Sequence, residues 1–247
     1  MFKFFSRSTT ASGRAVFSPL KADMHSHLIP GIDDGSPDLE TSLKLIRGMM
    51  ELGYSKLITT PHIMWDMYKN TRADIVQKLD LLRNAVKEEK MDIELAVAAE
   101  YFLDDHVAEL LKNNEPMLTF GENMVLVEFS MAHPPMSLKD ILFDMEMHGY
   151  LPVIAHPERY IYLEGAKEFY QELKDIGCRF QLNLLSLGNF YGRSAHELAN
   201  YLIKKEFYEL VGTDLHHPRH LEALQNPALA SPLKKLLDSG KITNDLL

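Results

Sequence analysis

Residues 22–35 read ADMHSHLIPGIDDG: two histidines one residue apart, a Pro-Gly turn and two adjacent aspartates. Residues i and i+2 of a strand point to the same face, so the imidazoles of His25 and His27 can converge on one point. A strand that ends in such a pair and is followed by Asp33 and Asp34 asks for a metal ion. The remaining ligands must come from elsewhere in the chain.

Other apolar runs end in the same way. Strands are expected to end near Asp23, Thr60, Ala99, Glu128, Ala155, Asn183 and Thr213, with KLITTPH, IELAVAAE, MVLVEFS, LPVIAH and YELVGTD the clearest. Near-continuous hydrophobicity suits parallel strands buried on both faces. Helical patterns separate them. Leu39, Leu43, Ile46 and Met50 follow a helical repeat, with Ser36 as N-cap, Pro37 at the first helical position and Gly53 as the stop. Ile75, Leu79, Leu82 and Val86 repeat the pattern, as do Phe169, Leu173 and Ile176 before Gly177. Ser194 and Glu197 have the spacing of a capping box. No internal repeat, low-complexity block or linker divides the chain. Seven β-then-α units predict a distorted (β/α)7 TIM-like barrel in a single α/β domain. An open doubly wound sheet is the alternative, because strand order is not readable from one sequence.

In parallel α/β barrels the C-terminal strand ends share one rim, where active sites are built. The first strand brings His25 and His27 there, the second His62, the third Glu100, the fourth Glu128, the fifth His156, and the seventh Asp214 and His216. The sixth, RFQLNLLS, offers Gln181 and Asn183 as hydrogen-bonding groups behind the ligands. Six of seven strands ending in a potential ligand, with no lysine among them, predict a shared polynuclear metal site rather than unrelated ion pairs. Imidazole and carboxylate without thiolate suit Mn²⁺, Fe²⁺ or Zn²⁺. Three divalent ions would outweigh the carboxylates of Asp33, Glu100, Glu128 and Asp214 and favour an anionic substrate. Arg159 and Arg219 follow His156 and His216 by three residues each. Their guanidinium forks match phosphate oxygens.

The bulk numbers agree. The 247 residues suit one large domain; 46% are apolar and 25% charged, as in a soluble protein. A net charge of -9 argues against nucleic acid or an anionic membrane as the main partner. The single cysteine, Cys178, excludes a disulfide within the chain and fits a reducing, cytoplasmic compartment. It is not a phosphatase nucleophile either, since CRFQLNLL reads as a strand start rather than a phosphate-cradling loop. The first twenty residues lack a continuous apolar stretch, and no run approaches a membrane span. Residues 1–20 are expected to be a frayed tail, with docking through Phe2, Phe4 and Phe5 as the alternative.

The segments DMHSHLIPGIDDG, TTPH, AAEYFLD, LVEFS, IAHPERY and GTDLHH resemble motifs of the PHP (polymerase and histidinol phosphatase) superfamily. More narrowly, they resemble its bacterial metal-dependent protein-tyrosine phosphatases of the CpsB/CapC/YwqE type, which regulate capsule or exopolysaccharide synthesis. The resemblance runs from about Lys21 to the C-terminus and implies a PHP-type phosphatase domain over 21–247. It implies three divalent ions, usually manganese or iron. The first would take His25, His27, Glu100 and Asp214. Glu100 would bridge to a second, also held by Glu128 and His156, and a third would take Asp33, His62 and His216. The resemblance also assigns Arg159 and Arg219 to phosphate binding. The implied reaction is hydrolysis of phosphotyrosine by a metal-activated hydroxide. The implied partner is a tyrosine-phosphorylated protein, such as a membrane tyrosine autokinase of polysaccharide assembly.

Three rivals stand beside that reading. A small-molecule phosphatase, such as a histidinol-phosphate phosphatase, shares most of the ligands. A metal-dependent amidohydrolase also opens on HxH but often uses a carboxylated lysine where this chain offers Glu100 and Glu128. A non-catalytic regulator would bind metal without turnover. Asp34 and His217 are candidates for proton donor or for orienting the ligands. The loop IMWDMYKN departs from basic counterparts in some relatives. There Trp65 and Tyr68 either wall a phenyl site or pack the loop, and Phe190 and Tyr191 pose the same question.

Overall fold

The computed structural model describes residues 20–247. Apart from Leu20, the expected tail and its phenylalanines lie outside the described residues. Parallel strands alternate with helices along the chain. The strands are β1 (Ala22–Asp23), β2 (Lys56–Thr59), β3 (His62–Ile63), β4 (Glu94–Val97), β5 (Glu100–Phe102), β6 (Met124–Glu128), β7 (Leu151–Ala155), β8 (Arg179–Asn183) and β9 (Leu210–Gly212). The helices are α1 (Leu39–Leu52), α2 (Arg72–Glu88), α3 (Asp105–Lys112), α4 (Leu138–Met147), α5 (Glu168–Asp175), α6 (Arg193–Lys204), α7 (Pro218–Leu224) and α8 (Ala230–Leu237).

Two of the seven expected strands are each broken in two. The second becomes β2 and β3 around Thr60-Pro61, where proline has no N–H to give a ladder. The third becomes β4 and β5 around Ala98-Ala99. The lower halves form a sheet β1-β2-β4 and the upper halves join a sheet β3-β5-β6-β7-β8-β9. Bonds from Ala98 N–H to the Thr59 carbonyl and from Glu100 N–H to the Pro61 carbonyl carry the pairing across the breaks.

The wall closes between the first and last strands. At the upper rim Ser26 bridges Leu215 in parallel, and Asp214 N–H donates to the His25 carbonyl at 2.8 Å. Lower down the Asn244 side chain stands in for the ladder: it donates to the carbonyls of Ala22 (3.2 Å) and Val211 (2.7 Å) and accepts from Val211 N–H. The result is a distorted TIM-like barrel. Met24, Ile58, Leu126, Val153, Ala155 and Leu210 fill its interior, while Val125, Val127, Ile154, Phe180 and Val211 pack outward in the larger cluster with the helices. Burial of alternate residues on opposite faces explains why these strands read as unbroken apolar runs.

Helix starts differ from expectation at two places. Helix α1 begins two residues late, with Asp38 as its N-cap accepting from Thr41 N–H. Ser36 is buried and accepts a bond from the Ser42 hydroxyl instead. Helix α6 begins at Arg193 without a side-chain cap, and Glu197 pairs with Arg193 at 2.6 Å rather than closing a box with Ser194. Gly53 and Gly177 end their helices in the left-handed region, as expected.

Candidate metal centre

The upper rim gathers the predicted ligands from both sheets. His25 and His27 follow β1, and each ring is turned by a bond on its far side. His25 Nδ1 meets Gln181 Oε1 at 2.8 Å, and His27 Nδ1 meets Asp33 Oδ2 at 2.8 Å. With Nδ1 donating in each, both Nε2 atoms keep lone pairs facing inward, 3.3 Å apart. Glu100 Oε2 lies 3.1 and 3.2 Å from them, and Asp214 Oδ1 lies 3.2 and 3.6 Å away. These four side chains are buried.

Two further groups share members with the first. His62 Nδ1 is 3.2 Å from Glu128 Oε1 and 3.5 Å from Glu100 Oε2. His156 Nε2 approaches Glu100 from its other oxygen at 3.2 Å. Asp34 Oδ1 lies 3.5 Å from His62 Nε2 and 3.6 Å from His216 Nε2. The ligand atoms of three sets, His25-His27-Glu100-Asp214, His62-Glu100-Glu128 and His27-Asp34-His62-His216, each fall within 4.8 Å of one another.

One expected ligand is displaced. Both oxygens of Asp33 are taken, Oδ2 by His27 Nδ1–H and by His62 N–H (3.0 Å), Oδ1 by Gly35 N–H (3.0 Å). Asp33 therefore stands behind His27, and its neighbour Asp34 faces His62 and His216. Consecutive residues in a turn point apart, so DDG alone does not say which aspartate turns inward.

Two strand-end residues are held in the left-handed region, His156 (φ 33) and Asp214 (φ 53). Histidine and aspartate tolerate it better than most side chains. At His156 it turns the chain from β7 into the 3₁₀ turn Pro157–Arg159. That turn brings Arg159 Nη1 to 2.7 Å from Asp214 Oδ2, with its guanidinium 4.4 Å over the Tyr191 ring. Asn183 donates to Asp214 Oδ2 and to the Tyr191 hydroxyl, both at 3.1 Å. Gln181 and Asn183 thus take the supporting places expected of them. Arg219 is different: it is exposed on α7, its guanidinium 5.5 Å from the Phe190 ring, and is absent from the side chains that line the cavity. His217 lies at the cavity edge, exposed, with its ring 3.9 Å from that of His220.

Two glycines make close approaches: Gly35, expected from the sequence to relieve crowding in its turn, and Gly212, which no sequence signal marked. A Cβ on Gly35 would fall 2.4 Å from both the Cβ and the carbonyl oxygen of His27. One on Gly212 would fall 2.6 Å from His25 Cβ. Each histidine of the HxH pair is packed against a glycine that leaves it room.

The donor set fits divalent cations. Glu100 Oε1 and His62 Nδ1 are buried and make no hydrogen bond, although each has an opposite group at 3.2 Å. Imidazole and carboxylate atoms converge with no hydrogen bond to satisfy these two, and a cation answers that. The metal-free electrostatics agree. Burial alone would raise Glu100 and Asp214, yet the His25 imidazole, joined by His62 for Glu100 and His216 for Asp214, holds both carboxyls well below their ordinary range. Burial alone would lower His62, yet Glu100, Glu128 and Asp33 push it up to about 10. Protons occupy the place of cations.

The cluster opens into a cavity of about 380 Å³. A larger one of about 680 Å³ lies at the opposite end of the barrel, where the strands begin, and holds none of these ligands.

The family model for capsular polysaccharide synthesis proteins, CpsB/CapC, matches residues 21–237. The chain belongs to this family. Among curated CpsB/CapC relatives, the tyrosine-protein phosphatase CpsB of Streptococcus pneumoniae is 30% identical over 201 residues, covering 79% of this chain and 82% of that protein. The tyrosine-protein phosphatase YwqE of Bacillus subtilis is 26% identical over 195 residues, 79% and 77%. A solved structure from work on YwqE and CpsB, described as unique metal-dependent tyrosine phosphatases, superposes with a TM-score of 0.75 at 24% identity, over 90% of this chain and 96% of that one. It shares the CpsB/CapC barrel.

Proposed function

We propose that this CpsB/CapC protein is a metal-dependent protein-tyrosine phosphatase acting in capsular or exopolysaccharide synthesis, with its phosphatase domain over 21–247. The observation that carries the reading is a set of three His/carboxylate groups, two sharing Glu100 and the third joined to them through His27 and His62, beneath a cavity lined by Arg159. The family membership supports it over a histidinol-phosphate phosphatase.

In this reading the cluster would hold three divalent ions, manganese first among Mn²⁺, Fe²⁺ and Zn²⁺. His25, His27, Glu100 and Asp214 hold one, and Glu100, Glu128 and His156 a second, with His62 close by. Asp34, His62 and His216 hold the third, Asp34 replacing the Asp33 first expected. When bound, such ions neutralise phosphoryl oxygens and lower the pKa of the attacking water. The protein's own groups do the positioning. Gln181 and Asp33 fix the rings of His25 and His27. Arg159, steadied by Asp214 and the Tyr191 face, turns the rest of its fork to a phosphate. Arg219, expected beside the phosphate, sits farther out near Phe190 and outside the cavity lining.

Neither candidate proton donor suits that role. Hydrogen bonding from His216 lowers the Asp34 carboxyl, and partial burial followed by the charge of His216 lowers His217. Asp34 is ionised and His217 neutral near pH 7. A phenolate, with a pKa near ~10, leaves without strong protonic help, which favours an aryl ester. The substrate is a tyrosine-phosphorylated protein, the finer reading being a membrane tyrosine autokinase of polysaccharide assembly met in the cytoplasm. No helix among the described residues is long and apolar enough to cross a membrane.

The test is a metal-by-substrate panel on metal-stripped protein, with His156→Ala as control. Mn²⁺, Fe²⁺, Zn²⁺ or Mg²⁺ is added to a phosphotyrosine peptide, a phosphoserine peptide and histidinol phosphate. Metal-dependent turnover of the phosphotyrosine peptide, lost in the variant, is expected. Preference for histidinol phosphate would overturn the substrate, and no turnover with any metal would leave a binding protein.

A further inference from the structure

The cavity above the cluster is ringed by side chains that no cation needs. Met64, Met67, Tyr68 and Met131 line it, the first three on the segment after β3 and the last after β6. The first segment is a tight hairpin. Met64 N–H donates to the Tyr68 carbonyl at 3.1 Å, Tyr68 N–H to the Met64 carbonyl at 2.7 Å, and Met67 N–H to the Met64 carbonyl at 3.0 Å.

Three anchors hold this hairpin in place. The Asn70 side chain donates to the carbonyls of Ile32 (3.0 Å) and His62 (2.8 Å). Trp65 N–H donates to Asp104 Oδ2, and the Trp65 ring stacks on His106 at 3.8 Å. The Tyr68 ring lies 5.6 Å from that of His62, within 14° of parallel. Trp65 is absent from the cavity lining and serves as an anchor, whereas Tyr68 does line it. The hairpin displays Met67, 65% exposed, facing a cavity that Met131, 41% exposed, also borders.

We propose that Met64, Met67 and Met131, with Tyr68, form the subsite for the aryl group of the substrate and select a phosphotyrosine over an alkyl phosphate. The inference rests on the phosphatase reading and deepens it. A phosphoryl group seated at Arg159 leaves its ester-linked group in the collar. Thioethers are polarizable and unbranched, so they fit closely around an aromatic ring. The short methylene of a phosphoserine leaves them in water. The anchored hairpin presents its methionines with little ordering left to do on binding, which favours affinity.

The double variant Met67→Ala/Met131→Ala tests this, because both side chains lie at the surface outside the core and folding is not at issue. Metal-loaded protein is titrated calorimetrically with phenylphosphonate and with methylphosphonate, and turnover of phosphotyrosine and phosphoserine peptides is measured alongside. Wild type is expected to prefer the phenyl ligand. The variant is expected to lose roughly two- to tenfold of that preference per methionine, with KM for the phosphotyrosine peptide raised to match and kcat retained. An unchanged phenyl-to-methyl ratio with unchanged KM would overturn the collar while leaving the phosphatase reading in place. Loss of the ratio in a protein that turns over nothing would support the collar as an aryl site while ending the phosphatase reading.

Discussion

Replacing Asp33 and Asp34 one at a time separates two roles that adjacent carboxylates play. The Asp33 side chain is fully buried and accepts from three donors: His27 Nδ1–H, His62 N–H and Gly35 N–H. The Asp34 side chain is 55% exposed. A buried donor left without an acceptor costs about 1–3 kcal/mol. Counting only the two backbone N–H groups, Asp33→Ala loses about 2 kcal/mol or more. At about 2–4 °C per kcal/mol for a chain of this size, the metal-free protein should melt roughly 4–8 °C lower. With His27 no longer oriented, cation affinity should also fall by about 10–100-fold. Asp34→Ala touches a half-exposed group and should leave the metal-free melting temperature within about 2 °C. It should nevertheless lose one cation, because it removes the only carboxylate of the His27-Asp34-His62-His216 group.

Scanning fluorimetry on stripped protein gives the first quantity, and metal content after dialysis against limiting Mn²⁺ gives the second. Asp33→Asn, which keeps one acceptor oxygen, should fall between wild type and Asp33→Ala in stability. The reasoning is refuted if Asp34→Ala keeps the full metal complement while Asp33→Ala loses one cation at unchanged melting temperature. That result would make Asp33 the ligand after all.

Gly35→Ala places a Cβ 2.4 Å from His27 backbone and side-chain atoms; it should displace the turn and cut cation affinity at least tenfold, read by the same metal assay, and wild-type affinity would show that the turn yields freely. Burial pushes the Cys178 thiol up to about 12, so folded protein at pH 8 should resist iodoacetamide and Cys178→Ser should keep full turnover; rapid alkylation without unfolding would contradict the packing. His62 is raised to about 10 in the metal-free site, against about 6.5 unfolded. That stabilisation is complete below pH 6.5 and is lost as pH rises through the folded value. Between pH 7.5 and 8.5, above the range of Asp23, which burial raises to about 7, and below that of Cys178, the melting temperature of stripped protein should fall with pH, and saturating Mn²⁺ should remove the trend; a flat or rising curve for the stripped protein would refute the proton-for-cation exchange.

What the amino-acid sequence discloses and what it hides follow from the range of the interactions involved. The residues of the cluster were legible because a strand buried on both faces is a run of apolar residues, and an acid or histidine at its end stands out. His25, Glu100, Glu128, His156 and Asp214 all announce themselves in that way. The closed barrel was legible only as a class. Its seam depends on Asn244 reaching Ala22, which lies 222 positions away, and no local pattern marks an asparagine for that task. The break near Ala98 escaped notice because the apolar run continues through it, and the short β3 beyond Pro61 because two residues carry no pattern of their own. The choice between Asp33 and Asp34 turns on one step of backbone direction inside a loop. That direction is set by His27, His62 and Gly35 together, none of which constrains it alone. Arg159 and Arg219 show the same limit, having equal spacing from a strand-end histidine and different surroundings. Arg159 follows a left-handed histidine into a 3₁₀ turn that folds it back over Asp214. Arg219 follows a proline at the start of α7, and the helix carries it outward onto Phe190. Residue type placed both arginines near the rim, and the local backbone set one beside Asp214 and the other beside Phe190.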